Sequence, residues 1–109
     1  MTDQLRDLNP ALNIIPDSVK TIHLMGVCGT AMAAMAGMLK QTGFSITGSD
    51  SQVYPPMSDF LARIGVEVFE GYRPENLDHA PDLVIVGNVI PKVNAEAQGL
   101  AVRGIPYVS

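Results

Sequence analysis

At 109 residues, with 47% of its side chains apolar and 17% charged, the chain has the length for one domain around one core and a composition that argues against disorder. A net charge of −4 on singly scattered residues offers no basic stripe for nucleic acid, and the longest weakly polar stretch, residues 24–39, is interrupted by glycines and too short to span a membrane. The lone cysteine, Cys28, excludes an internal disulfide and a multi-cysteine metal site, and the N-terminus lacks a signal-peptide pattern, so the sequence points to the cytoplasm.

Residues 1–19 hold Pro10 and Pro16 without a clear period and are expected to form an irregular N-terminal extension, with the domain proper over residues 20–109. TIHLM, residues 21–25, predicts a first strand closed by Gly26. Residues 30–42 set Met32, Met35, Ala36 and Leu39 on one helical face, and Gly43 follows as a stop. FSITG, residues 44–48, predicts the second strand. A second helix starts near Pro55 and Pro56, buries Phe60, Leu61 and Ile64, and ends at Gly65. The alternation in VEVFEG predicts a half-exposed or edge strand, whereas the unbroken apolar run in DLVIVGN, residues 82–88, predicts a strand buried on both faces. Asn94 is placed to cap a helix running to Arg103, with Gly104 after it, and IPYVS predicts a fifth strand whose Pro106 suits its start or an edge.

Strands and helices that alternate in this way predict an α/β fold: a Rossmann-like, three-layer, doubly wound sheet of five parallel strands in the order 3-2-1-4-5. Such sheets bind ligands outside the carboxyl ends of their strands, beside the switch point between strands one and four. Those ends carry Gly26 to Thr30, Ser49 and Asp50, Gly71 and Tyr72, and Gly87 and Asn88.

The first of these, GVCGTAM, stands at the start of a helix, where free N–H groups and the helix dipole favour phosphate. No Lys or Arg lies between residues 21 and 39, so an anion there would rest on backbone donors from Cys28 to Met32 and on the Thr30 hydroxyl. Gly26 permits the tight turn, Gly29 the close approach of a ligand, and Ala31 the packing of helix on strand. A ligand-free strand-to-helix turn is the competing reading. Asp50 lies 24 positions after Gly26, where dinucleotide domains hold a ribose hydroxyl, although GSDS also suits local turn bonding. A thiol at a helix N-terminus can be activated, but Cys28 has no evident base: His23 falls inside a strand, as a satisfied sheet histidine, and His79 in a loop. Met32, Met35 and Met38 fit core filling, with Met32 near enough to the loop to touch a ligand. Asn88 can offer an amide to a ligand or brace its own loop, and Tyr72 and Arg73 can reach a base or ribose or simply form a surface turn.

IHLMGVCGTAM, GSD and RPENL, in this order, resemble the N-terminal domain of the Mur ligase family. The loop cysteine, VYPPMS, PDLVIVGN and the terminal IPYVS are similar to its peptidoglycan-recycling branch, with the branch that adds L-alanine to UDP-N-acetylmuramate next in similarity. The resemblance covers residues 20–109. It implies that Gly26, Val27, Cys28, Gly29, Thr30, Ala31 and Met32 cradle the diphosphate of UDP-N-acetylmuramate, that Ser49 and Asp50 lie near the uridine, and that Asn88 borders the same pocket. Tyr72 stands where the L-alanine-adding relatives commonly have a histidine. The family joins amino acids or peptides to the muramyl carboxylate with ATP and Mg2+, and its recycling branch takes the murein tripeptide L-Ala-γ-D-Glu-meso-diaminopimelate. No glycine precedes Lys20, Lys40 or Lys92, so the chain has no G-x-x-x-x-G-K-[S/T] loop for ATP. The resemblance therefore implies a substrate-binding domain that binds no cofactor or metal, carries no catalytic residue and is inactive alone; the central ATPase and the peptide-binding domain would lie elsewhere in the parent enzyme. Two further readings are an NAD-binding domain of a dehydrogenase or redox sensor, favoured by Asp50 and opposed by the displaced glycine, and a non-enzymatic interaction module.

Overall fold

Residues 17–109 are described by the structure, a computed structural model; most of the expected N-terminal extension, residues 1–16, lies outside them. The predicted strands become β1 (Thr21–Met25), β2 (Ser45–Asp50), β3 (Glu67–Glu70), β4 (Leu83–Val86) and β5 (Tyr107–Val108). Between them lie helices α1 (Thr30–Thr42), α2 (Met57–Arg63) and α3 (Ala95–Arg103), and a 3-10 turn at Pro74–Leu77 replaces a helix in the third crossover. The sheet order is β3-β2-β1-β4-β5 and every pairing is parallel, as the alternation of elements predicts.

Alternate side chains of each strand point to opposite layers. One face gathers Ile22, Leu24, Ile46, Leu83 and Ile85 under Ala33, Ala36 and Leu39 of α1 and Leu61 of α2. The other sets Met25 and Val84 against Leu77 of the 3-10 turn and Leu100 of α3. Central strands are thus buried on both faces while β3 is half exposed at the edge. Asn94 caps α3 by accepting the N–H groups of Glu96 and Ala97 on Oδ1, and Gly43 and Gly104 close α1 and α3 in left-handed conformations.

Three details differ from the sequence reading. β2 runs on to Asp50 instead of stopping at Gly48, because Ser49 pairs with Met25 on one side and Ser49 and Asp50 pair with Phe69 and Glu70 on the other. Gly48 is no terminator: a Cβ there would stand 2.6 Å from the Val27 side chain, so its role is to let that side chain seat on the sheet. On α1 the deepest positions are Ala33, Ala36 and Leu39, with Met32 and Met35 half buried beside them. Alanines let the helix approach the sheet closely, and the flexible methionines fill the flank. On α2 only Leu61 is fully buried, with Phe60 and Ile64 packed at the margin.

Candidate functional site

At the switch point β1 and β4 are neighbours, β2 and α1 depart to one side, and the exit of β4 departs to the other. This leaves a cleft of about 500 Å³ at the carboxyl ends of the strands, lined by Gly26, Thr30, Ala31, Met32, Gly87 and Asn88 among others. A groove of about 580 Å³ between α1 and α2 is as large, but it lies away from the strand ends and is lined mainly by Gly37, Met38, Phe60 and Ile64.

Backbone donors decide what the cleft can hold. Gly26 turns the chain at φ 85°, a conformation that favours glycine. The N–H groups of Gly26 and Val27 both donate to the Ser49 carbonyl, at 2.8 and 3.1 Å. The Cys28 N–H donates to Asp50 Oδ2 at 3.0 Å, and the Gly29 N–H folds back to the Gly26 carbonyl. The first intrahelical bond of α1 is from Ala33 N–H to Gly29 O, so the N–H groups of Thr30, Ala31 and Met32 have no acceptor within the helix. These three donors and the Thr30 hydroxyl, all at the positive end of the dipole, open on the cleft. The expected row from Cys28 to Met32 is thereby shortened to its helical end.

Within the loop, Val27 is fully buried and packs on Gly48, whereas Gly29, Thr30 and Ala31 are exposed. Cys28 is half buried, and burial, followed by the Asp50 carboxylate, raises its thiol above the ordinary value. Asp50 uses Oδ2 on Cys28 and Oδ1 on the Gln52 N–H, the local turn bonding that the sequence allowed. Each oxygen retains a further lone pair, and the carboxylate lines a smaller cavity of about 210 Å³ with Cys28, Gly29, Gln52, Tyr54 and Met57. Gly29 borders both cavities. Asn88 is exposed on the far wall of the larger one. The Tyr72 hydroxyl comes 3.9 Å from the point a Gly26 Cβ would occupy. Burial first, then the charges of Asp50 and Glu96, push the Tyr72 phenol up to about 12, so it is a neutral donor at physiological pH.

Ser49 is brought to the site by its carbonyl alone. Its side chain is fully buried and donates to Glu96, at 2.7 Å. His23 is the satisfied sheet histidine that was expected, held by Thr47, Ser49 and Glu96. Glu96 and Asn76 were not found by sequence reasoning. A Glu in the first turn of a helix reads as an ordinary dipole complement, and RPENL reads as a turn; only the packing of α3 on the 3-10 turn shows both side chains to be buried.

Comparison with known proteins gives one consistent result. The sequence model described as "Mur ligase family, catalytic domain" matches residues 21–109. The chain is 43% identical over 88 residues to the UDP-N-acetylmuramate--L-alanyl-gamma-D-glutamyl-meso-2,6-diaminoheptandioate ligase of Escherichia coli (strain K12), covering 81% of this chain and 19% of that protein. It is 37% identical over 89 residues to the UDP-N-acetylmuramate--L-alanine ligase of Syntrophomonas wolfei, covering 82% of this chain and 19% of the relative. Among solved structures, a murein peptide ligase from Psychrobacter arcticus 273-4 superposes with a TM-score of 0.79 at 40% identity, over 83% of this chain and 19% of the other. The chain spans about a fifth of the length of these relatives.

Proposed function

The chain belongs to the Mur ligase family, and from that premise we propose that residues 21–109 bind UDP-N-acetylmuramate for a ligase that joins to it the murein tripeptide L-Ala-γ-D-Glu-meso-diaminopimelate. The observation that carries this reading is the row of free backbone donors at Thr30, Ala31 and Met32, opening on the switch-point cleft. A diphosphate supplies the negative charge that this helix end favours, and it needs no Lys or Arg in the loop. The net charge of −4 is no obstacle, because the field at the helix end is local.

In this reading Gly26 shapes the turn and Gly29 leaves its front open, while the buried Val27 and the Ser49 carbonyl hold the turn from beneath. Asp50 serves the uridine end, its remaining lone pairs accepting a ribose hydroxyl in the smaller cavity. Asn88 borders the ligand from the end of β4, and the neutral phenol of Tyr72 flanks the Gly26 turn. In the whole enzyme ATP, with Mg2+, would phosphorylate the muramyl carboxylate and leave as ADP, and the amine of the tripeptide would displace that phosphate to form the amide. Residues 1–109 contain no loop of the G-x-x-x-x-G-K-[S/T] type, and we assign them the holding and orienting of the UDP-sugar only. We place the protein in the cytoplasm; among the described residues no helix is long and apolar enough to cross a membrane.

The test is a titration of the chain with UDP-N-acetylmuramate followed by amide NMR. The expected result is saturable shifts at Thr30 to Met32. Silence of those amides at about millimolar ligand, an affinity limit of roughly 4 kcal/mol, would overturn the proposal. Saturable binding of NAD without binding of UDP would favour a dehydrogenase-like domain instead.

A further inference from the structure

Glu96 is fully buried and accepts hydrogen bonds from four groups. Its Oε2 takes Ser49 Oγ–H at 2.7 Å and His23 Nε2–H at 2.9 Å. Its Oε1 takes Asn76 Nδ2–H at 2.6 Å and the Arg73 N–H at 3.3 Å. Two oxygens with two lone pairs each are thereby satisfied, as a buried carboxylate requires. One of these donors continues into the turn that borders the cleft, and another into the loop whose Tyr72 hydroxyl stands 3.9 Å from a Cβ built on Gly26. The Ser49 carbonyl holds the N–H groups of Gly26 and Val27, and the second Asn76 Nδ2 hydrogen holds the Gly71 carbonyl at 2.8 Å. One carboxylate therefore anchors both the Gly26 turn and the loop that carries Tyr72. Helix α3 can sit low enough for this because Gly99 has no side chain; a Cβ there would lie 2.8 Å from Pro74.

The carboxylate also sets the direction of the protons. With Nε2–H donating to Glu96, His23 presents Nδ1 as acceptor to Thr47 Oγ1–H at 2.7 Å, and the Thr47 oxygen accepts from His79 Nε2 at 3.1 Å. A glutamine at position 96 would turn its NH2 toward Ser49 and His23, or toward Asn76 and the Arg73 amide. In the first orientation His23 must move its proton to Nδ1 and Thr47 must reverse; in the second, donors meet on the Asn76 side.

We propose that Glu96 is a positioning residue for the nucleotide cleft, its carboxylate fixing the Gly26–Val27 turn through Ser49 and, through Asn76 and the Arg73 amide, the Tyr72 loop that flanks this turn, so that the turn stands ready for the ligand. It contacts no ligand itself, and the inference rests on the UDP-sugar reading of the cleft. The preformed turn spares the ligand the cost of ordering it, which is where the affinity is gained.

The experiment measures UDP-N-acetylmuramate binding to the full chain, to Glu96→Gln and to Leu83→Ala, together with the 15N side-chain spectrum of His23. Leu83 is a control for stability: it begins β4 in the apolar core, at the opposite end of the strand from the cleft. Glu96→Gln is expected to weaken binding about tenfold or more, the scale of losing hydrogen bonds to a charged group, and to move His23 from the Nε2–H to the Nδ1–H form. Leu83→Ala is expected to melt earlier yet bind within about twofold of the wild type, since distant sites are independent. Should Glu96→Gln fail to fold, Asn76→Ala serves instead, with a loss of about threefold or more from the freed Tyr72 loop beside Gly26. Unchanged affinity in the folded variant, or a loss in Leu83→Ala that tracks its lower melting point, overturns the positioning role alone. Absence of binding by the wild type overturns the cleft reading and this inference together.

Discussion

On the face covered by α1 and α2 the strands contribute Ile22, Leu24, Ile46, Leu83 and Ile85, whereas the opposite face of β1 and β2 contributes His23, Thr47 and Ser49 to a hydrogen-bonded network that ends on Glu96. Both faces are buried, yet they impose order by different means. Apolar packing tolerates changes of shape in proportion to the volume lost. A buried polar network tolerates almost nothing, because each donor must meet an acceptor and each acceptor a donor. The cleft draws on both: α1, which supplies its donors, is seated by the apolar face, and the turn before α1 is tied down by the polar one.

Truncation is the harshest way to break this contrast. Glu96→Ala strands four donors in the interior and is expected to cost about 3–5 kcal/mol, more than its volume alone predicts, in urea denaturation. Leu39→Ala, on the apolar face at a position with no exposure, is expected to cost about 2–5 kcal/mol, while Leu39→Met stays below about 1.5 kcal/mol. The polar face has no such mild exchange: Glu96→Gln, nearly identical in shape, is expected to lower the denaturation midpoint more than Leu39→Met does.

Acid separates the faces more gently. Burial would raise the Glu96 carboxyl, but the hydrogen bonds from His23, Ser49 and Asn76 outweigh it and hold it below its ordinary value of 4.5. Its stabilisation is therefore present above that pH and lost as pH falls below it. Burial, then the neighbouring His23, lowers His79 from 6.5 against the pull of Glu67 and Asp78, so the neutral form favours the fold and its contribution also fades as pH falls. Melting temperature followed from pH 7 to pH 3 is expected to decline in the wild type, with the limb below pH 4.5 flattened in Glu96→Gln.

The smallest stability effect falls at the cleft itself. Ala31 is exposed in the first turn of α1, where a carboxylate favours the helix by about 0.3–1 kcal/mol. Ala31→Asp is expected to fold as well as the wild type but to lose UDP-N-acetylmuramate binding by about tenfold or more, through repulsion of the diphosphate and competition for its donors. Retained affinity in a calorimetric titration would remove the helix end from the site.

Much of the fold was legible because its signals are local. The period of TIHLM, the caps Asn94 and Gly104, and the unbroken apolar run of β4 each appear where the sequence places them. The switch-point location of the cleft followed from strand order, which alternation and handed crossovers restrict. The end of β2 was misplaced because Gly48 looks like punctuation and is in fact the seat of Val27, a contact across the sheet. Asp50 illustrates the same limit in the site: its spacing from Gly26 suggested a ribose ligand, its sequence context suggested turn bonding, and the turn bonding is present in the structure alongside open lone pairs.

The sequence by itself determined the α/β order of elements, the anion-favouring helix start after β1, and membership of a family whose motifs run from IHLMGVCGTAM to IPYVS. Only the tertiary structure decided which amides remain free at that helix start, and that Glu96 lies buried among donors from β1, β2 and the loop after β3. The reason is physical: periodicity and capping are properties of neighbours along the chain, whereas the partner of a buried charge is chosen by elements far apart in sequence that meet only when the sheet is assembled.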